Sequence, residues 1–272
     1  MKKVLSFMAI AAMLFVGYSC TENNPNNDNP NDNPQDNPQD NPQDNPGEYT
    51  PAITIDGAFT DWAALDATKI SKTFSAGEDA KHPALDQAWV YADAKYIYVY
   101  IQWDTDMITY SKPTGIDPET GDEIGSEYVP FHVYLNTDGD ATTGGFSDQF
   151  ADACIDVLFE GFLYGINEET QEMELVSYEP WAFAWNGEAN GSGWTWADLG
   201  EPVCAGAGVE GKYEFSIERN SLAELGKPVA DVFSIGFDIQ QAWDSVGVLP
   251  EDAPSDANPS GTKASLKVTT VK

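Results

Sequence analysis

Residues Tyr96–Trp103 read YIYVYIQW, with Ile97, Val99, Ile101 and Trp103 at one parity and Tyr96, Tyr98, Tyr100 and Gln102 at the other. A period of two in β-branched and aromatic residues is the pattern of a strand between two different environments, and no helical stripe fits it. The same reading predicts strands over Phe131–Leu135, Ala153–Phe159, Trp181–Trp185, Lys212–Glu218, Val232–Ile239 and Ala264–Val271. Turns rich in Gly, Asp and Pro separate them, as at Thr137-Asp138-Gly139-Asp140. Helical periodicity is confined to Ser221–Leu225, opened by Asn220 as the candidate cap. Many strands with little helix predict an all-β fold: a two-sheet antiparallel β-sandwich of jelly-roll type.

That pattern occupies residues 51–272 only. Residues 1–19 carry Lys2 and Lys3 followed by an apolar run from Val4 to Tyr18, the layout of a secretory signal rather than of a membrane span. The run ends in Gly17-Tyr18-Ser19-Cys20, which resembles a bacterial lipobox and makes Cys20 the candidate acylation site; an ordinary cleaved signal peptide is the alternative. Residues 20–50 then repeat Asn-Pro-Gln-Asp between Asn33 and Asp44 with no large apolar residue before Tyr49. Proline at every fourth position removes backbone donors, and so polar a tract cannot bury enough surface to offset its ordering entropy. It reads as a stalk, and the expectation is a lipid-anchored extracytoplasmic protein, at a bacterial outer membrane or cell surface, that meets the membrane only through its acyl chains.

Composition narrows the partners. Seven of the 45 acids fall in residues 21–50 and two of the 13 bases in the leader, which leaves 38 acids against 11 bases for residues 51–272. Arg219 is the one arginine. Nucleic acid is excluded on this balance because phosphate binding needs clustered Lys and Arg, and anionic glycans and lipid headgroups are disfavoured for the same reason. With Cys20 assigned to acylation, Cys154 and Cys204 form an even pair in an exported protein and are the candidate disulfide, two buried thiols being the alternative.

Three motifs carry a resemblance. Ile55-Asp56-Gly57 followed by Asp61-Trp62, the strand YIYVYIQWDTD, and Tyr134-Leu135-Asn136-Thr137-Asp138 resemble, in order and spacing, segments of family 9-like carbohydrate-binding modules. The matches span roughly residues 53–160; the rest resembles the family only in being rich in strands. The resemblance implies a β-sandwich that binds sugars between aromatic rings, with structural calcium, and a kinship with DOMON-type domains. Similar modules on stalked lipoproteins look like those of gut-dwelling Bacteroidetes that capture glycans.

Candidate sites follow from side-chain chemistry. Four of the eight tryptophans lie in Trp181–Trp196, WAFAWNGEANGSGWTW. Alternation puts Trp181, Phe183 and Trp185 on one strand face, and Trp194 and Trp196 on another after a Gly-rich turn. Flat indoles pack against the C–H faces of sugar rings, with Asn186, Glu188, Asn190 and Asp198 nearby to meet hydroxyls. Trp243, flanked by Gln240, Gln241 and Asp244, is a further candidate; a core role between the sheets is the alternative for every Trp. Asn136, Asp138 and Asp140 place oxygen at alternating positions around Gly139, the spacing of a calcium loop, with Asp148, Asp152 or Asp156 to supply extra carboxylates from the following segment. A metal-free Asp-Gly turn is the alternative.

Catalytic chemistry is not assembled. His82 and His132 lie in no HExxH motif and near no GxSxG elbow. Gly206–Gly211 matches GxGxxG, yet it precedes an alternating strand where a dinucleotide site needs a helix. The sequence therefore reads as a non-catalytic module for a neutral oligo- or polysaccharide, against the alternative of a structural or adhesive surface protein that binds another protein.

Overall fold

The computed structural model describes residues 49–121, 123–125, 129–140, 142–145, 150, 154–167, 169–189, 191, 195–251 and 265–272. The leader, Cys20, the stalk up to residue 48, Asp148, Asp152, Asn190 and Trp194 lie outside them.

In chain order the strands are β1 Ser71–Phe74, β2 Leu85–Ala92, β3 Tyr96–Trp103, β4 Gly115–Ile116, β5 Glu123–Ile124, β6 Pro130–Asn136, β7 Val157–Phe162, β8 Tyr164–Ile166 and β9 Met173–Leu175. They continue with β10 Trp181–Trp185, β11 Trp196–Gly200, β12 Cys204–Val209, β13 Lys212–Glu218, β14 Val232–Gln241, β15 Asp244–Leu249 and β16 Leu266–Thr269. One sheet has the order β1-β2-β3-β13-β12. The other runs β11-β10-β7-β6-β14-β15, with β16 also on β14. Every named pairing is antiparallel, and the chain changes sheets between β3 and β6, between β11 and β12, and between β13 and β14. The all-β sandwich expected from the alternation is what forms.

The main core lies between the sheets. Ile97, Val99, Ile101 and Trp103 of β3 meet Phe131, Val133 and Leu135 of β6 and Phe233, Ile235, Phe237 and Ile239 of β14, all buried. The opposite parity of β3 is covered too: Tyr98 and Tyr100 pack against Ile53 and Trp62 of the N-terminal segment, which lies across the outer face of the five-stranded sheet. A short helix, α1 Thr60–Ala64, presents Trp62 to that face. Glu214 of β13 holds it there. One carboxylate oxygen accepts the Asp56 and Gly57 amides at 3.1 and 2.8 Å, and the other accepts the Trp62 indole N–H at 2.9 Å. Gly57 takes φ +74, a conformation cheap only without a Cβ, so Ile55-Asp56-Gly57 and Trp62 form a latch.

Several expectations are corrected. The strand predicted over Ala153–Phe159 is Val157–Phe162. The second helix, α2 Arg219–Glu224, starts before Asn220, whose side chain donates to Glu224 at 2.7 Å instead of capping. Gly206–Gly211 lies in the β12–β13 hairpin, as its alternation required. Cys154 and Cys204 are not joined to each other, so the expected disulfide is not formed. Cys204 opens β12 in the five-stranded sheet, whereas Cys154 precedes β7 of the other sheet on a backbone with φ +52. Burial pushes the Cys204 thiol up to about 12.

Candidate functional site

The outer face of the seven-stranded sheet carries the unusual chemistry. Alternation sends the even-numbered residues of β6, β7 and β14 outward, because their odd-numbered neighbours fill the core. One cross-strand row runs Trp181–Glu160–His132–Asp238–Val248, each residue paired with the next. A second row, Phe183–Leu158–Tyr134–Gly236, lies beside it. The second row is apolar and capped by Phe150, whose ring lies where a Cβ on Gly236 would come within 2.5 Å. The first row is polar.

Its hydrogen bonding is only half complete. Asp238 Oδ2 accepts from Gln240 Nε2 at 2.7 Å and from Ser245 Oγ at 2.9 Å. The same Gln240 nitrogen lies 3.2 Å from His132 Nδ1, and the Tyr134 hydroxyl lies 3.5 Å from it. Three buried atoms of the row, His132 Nε2, Trp181 Nε1 and Asp238 Oδ1, have no hydrogen-bond partner. A buried polar atom left unpaired costs about 1–3 kcal/mol, and most folded proteins avoid it. The row is electrostatically tense as well. Burial lowers the His132 imidazolium to about 4 and raises the Asp238 carboxyl to about 6, and burial raises Glu160 too. His132 is therefore neutral at pH 7, with Nε2 at 3.6 Å from a Glu160 oxygen, longer than a hydrogen bond.

Aromatic rings stand at the end of this row. Trp243 sits in the two-residue loop joining β14 to β15, with Gln241 paired to Asp244. Ala242 and Trp243 both have positive φ, 50° and 71°. Such a loop suits Asn-Gly; a left-handed conformation costs an ordinary residue roughly 1–2 kcal/mol. Burial does not compensate here, since Trp243 is 55% exposed. Its ring centroid is 6.5 Å from His132 and 6.0 Å, edge to face, from Phe162, which is 38% exposed. Gln241, just before the loop, exchanges hydrogen bonds with the backbone and side chain of Thr109 and so fixes the loop from outside.

The tryptophan cluster divides by role. Trp185 is pinned: its Nε1 donates to the Glu188 carbonyl at 2.9 Å, and a Cβ at Gly145, Gly187 or Gly191 would come within 2.3, 2.5 or 3.1 Å of its ring. Trp196 pairs with Trp185 across β10 and β11, the rings 5.2 Å apart at 75°. That places Trp196 on the same sheet face as Trp181 and Trp185, a correction to the expectation of a separate face. Trp185 packs against Gly145, Gly187, Gly191 and the Trp196 ring, whereas Trp181 stands in the polar row and Trp243 lies beside its His132.

The calcium-like loop closes on itself. Asn136 Oδ1 accepts the Gly139 amide at 2.7 Å, and Asp138 accepts the Asp140 amide at 2.8 Å and the Thr143 hydroxyl at 2.9 Å. Asp140 accepts both the amide and the hydroxyl of Thr142, and Asp156 accepts both those of Thr137. Among the described residues no group of three His, Cys, Asp or Glu side chains converges as metal ligands.

Sequence reasoning did not single out Glu160, Asp238 or Phe162. Polar residues at outward strand positions look like a wetted face, and only the fold shows that His132 and Asp238 on it are buried.

No protein-family model matches the chain, and no curated protein matches it in sequence. Among solved structures the chain is similar to a carbohydrate binding module family 9 (CBM9) from Caldicellulosiruptor kristjanssonii in complex with cellotriose. The identity is 13% and the TM-score 0.35, over 80% of this chain and 89% of that one. At this identity and TM-score the likeness assigns neither a ligand nor a site residue.

Proposed function

We infer that the domain is a carbohydrate-binding module that acts without catalysis, and that its site is the polar row beneath Trp243. One observation carries this reading: an exposed, strained indole is held beside a row of buried polar atoms that lack partners. The C–H face of a sugar ring packs on such an indole, and Glu160 and Asp244, which reach solvent nearby, can meet its hydroxyls. Strain kept at an exposed side chain supports contact with a ligand. The acidic balance of the domain supports a neutral ligand.

On this reading the leader and Cys20 anchor the protein by acylation, and the stalk carries the module clear of the membrane. Cys20→Ala then moves the protein from the membrane to the soluble fraction; continued membrane residence overturns the anchor. The Asn136–Asp140 loop is where calcium would act on this domain. Chelation that lowers the melting temperature supports calcium there, and an unchanged temperature leaves the loop self-supporting.

The test of function is a glycan array probed with the full-length protein and its Trp243→Ala and Trp185→Ala variants. Neutral glycans bind the wild type, Trp243→Ala abolishes binding, and Trp185→Ala lowers stability first. Glycan binding that is indifferent to Trp243 removes the site from this face.

A further inference from the structure

Four aromatic residues stand out into solvent among the described residues: Phe74 on β1, Tyr110, Phe162 and Trp243. The last three belong together. Trp243 and Phe162 form a corner, edge to face at 6.0 Å. Tyr110 is brought to the same edge of the domain by its neighbour Thr109, which exchanges hydrogen bonds with Gln241, two residues before Trp243. The chain beyond Tyr110 is fastened as well: Ser111 Oγ donates to the Gly125 carbonyl at 2.8 Å, and Lys112 Nζ donates to the Gln171 carbonyl at 3.0 Å. Three ties from Thr109, Ser111 and Lys112 thus hold a loop of no regular structure, and between them they fix Tyr110. Its ring has one covered face. It stacks on Tyr164, centroids 4.3 Å apart at 23°. Tyr164 is buried, meets Trp103 edge to face, and donates its hydroxyl to Glu210 at 2.9 Å. Trp103, Tyr164 and Tyr110 therefore lead from the core to the surface, and Tyr110, 36% exposed, ends the stack with its other face towards solvent.

A flat ring held from behind, with its front face bare, is a surface on which the C–H face of a sugar packs, and because it is already fixed, little ordering entropy is lost on contact. Tyr110 pairs with Tyr164, and Trp243 with Phe162 and His132, but not with each other, so they are two platforms and not one. Thr109 and Gln241, both polar, lie between them. Rings separated by polar groups suit a ligand that alternates C–H faces with hydroxyls; a protein partner would favour one contiguous apolar patch. We propose that Tyr110 is a second stacking subsite, and that the ligand is a linear neutral oligosaccharide which rests one sugar on the Trp243–Phe162 corner and another on Tyr110, passing over Thr109 and Gln241. The proposal rests on the carbohydrate-binding reading. It adds the length of the ligand: a stretch of chain, longer than a disaccharide.

Calorimetric titration of the full-length protein with cello-, xylo- and malto-oligosaccharides, from disaccharide to hexasaccharide, tests it. In a series that binds, affinity is expected to rise about tenfold or more from the disaccharide to the longer chains. Two variants ask whether Tyr110 is the cause. Tyr110→Leu still covers Tyr164 but has no flat face, so the ratio of long-chain to disaccharide affinity falls towards one. Tyr110→Phe keeps the ring, and so keeps the ratio. Affinity that does not depend on length, or a gain with length that survives Tyr110→Leu, overturns the proposal; disaccharide binding that is lost in Trp243→Ala would then leave the site at Trp243 standing. If no sugar of any series binds the folded protein, the carbohydrate-binding reading falls and the second subsite falls with it.

Discussion

Each sheet buries a carboxylate on its outer face, and the two are finished differently. Glu214, on the five-stranded sheet, receives two backbone amides and an indole N–H, and both of its oxygens are used. Asp238, on the seven-stranded sheet, receives two side-chain donors on one oxygen and nothing on the other. Both residues are wholly buried, so the contrast is not one of depth. Completed hydrogen bonds turn a buried charge into a fastener for the N-terminal segment. Incomplete ones leave local free energy unrealised.

The widest separation between the two faces should come from removing each carboxylate. Glu214→Ala strands three donors and is expected to cost about 4 kcal/mol in urea unfolding. Asp238→Asn should leave stability at pH 7 unchanged or higher while weakening sugar binding. If Asp238→Asn proves the more destabilising of the two, the contrast fails.

The pH dependence of stability is the next lever. Asp238 is raised to about 6, so the native state holds its proton longer than the unfolded chain and stability is lost as pH rises towards 6. His132 is lowered to about 4, so the unfolded chain takes up a proton that the native state refuses and stability is lost as pH falls from 6.5 towards 4. Each contributes about 3 kcal/mol, with opposite slopes. They nearly cancel in the wild type and are uncovered singly: stability rises with pH over this window in Asp238→Asn and falls in His132→Gln. Parallel slopes in the two variants would mean that the row does not carry these burdens.

A smaller effect is expected at the hairpin. Trp243→Gly relieves the left-handed conformation and should raise stability by about 1 kcal/mol while abolishing sugar binding. A loss of stability would make the indole a structural wedge like Trp185. Smallest of all, a reducing agent should leave the melting temperature unchanged, since Cys154 and Cys204 are not disulfide-bonded. A fall of several degrees would restore the disulfide.

The period of two made the sandwich legible. Tyr96–Trp103, Trp181–Trp185 and Lys212–Glu218 form strands with the bounds the alternation gave. Cys204–Val209 was hidden because Gly206 and Gly208 carry no side chains to alternate; they are glycines so that the Tyr213 ring can lie against them. The Ile55-Asp56-Gly57 and Trp62 motif was visible, but its role was not, because the carboxylate it grips comes from 152 to 158 residues away. The site was half legible. Indoles stand out in any sequence, and Trp243 and Trp181 were found that way. Glu160 and Asp238 were not, since strand alternation cannot distinguish an outward face in water from one that is itself buried. Only the register that sets Glu160, His132 and Asp238 in one row shows that their hydrogen bonds are unfinished.

The most direct test is to titrate the full-length protein and its Trp243→Gly variant with a neutral glycan taken from the array, following stability alongside affinity. The account predicts that the variant is at least as stable as the wild type and no longer binds. A variant that binds as tightly as the wild type would contradict it, and would leave the strained tryptophan and the unfinished row without a common purpose.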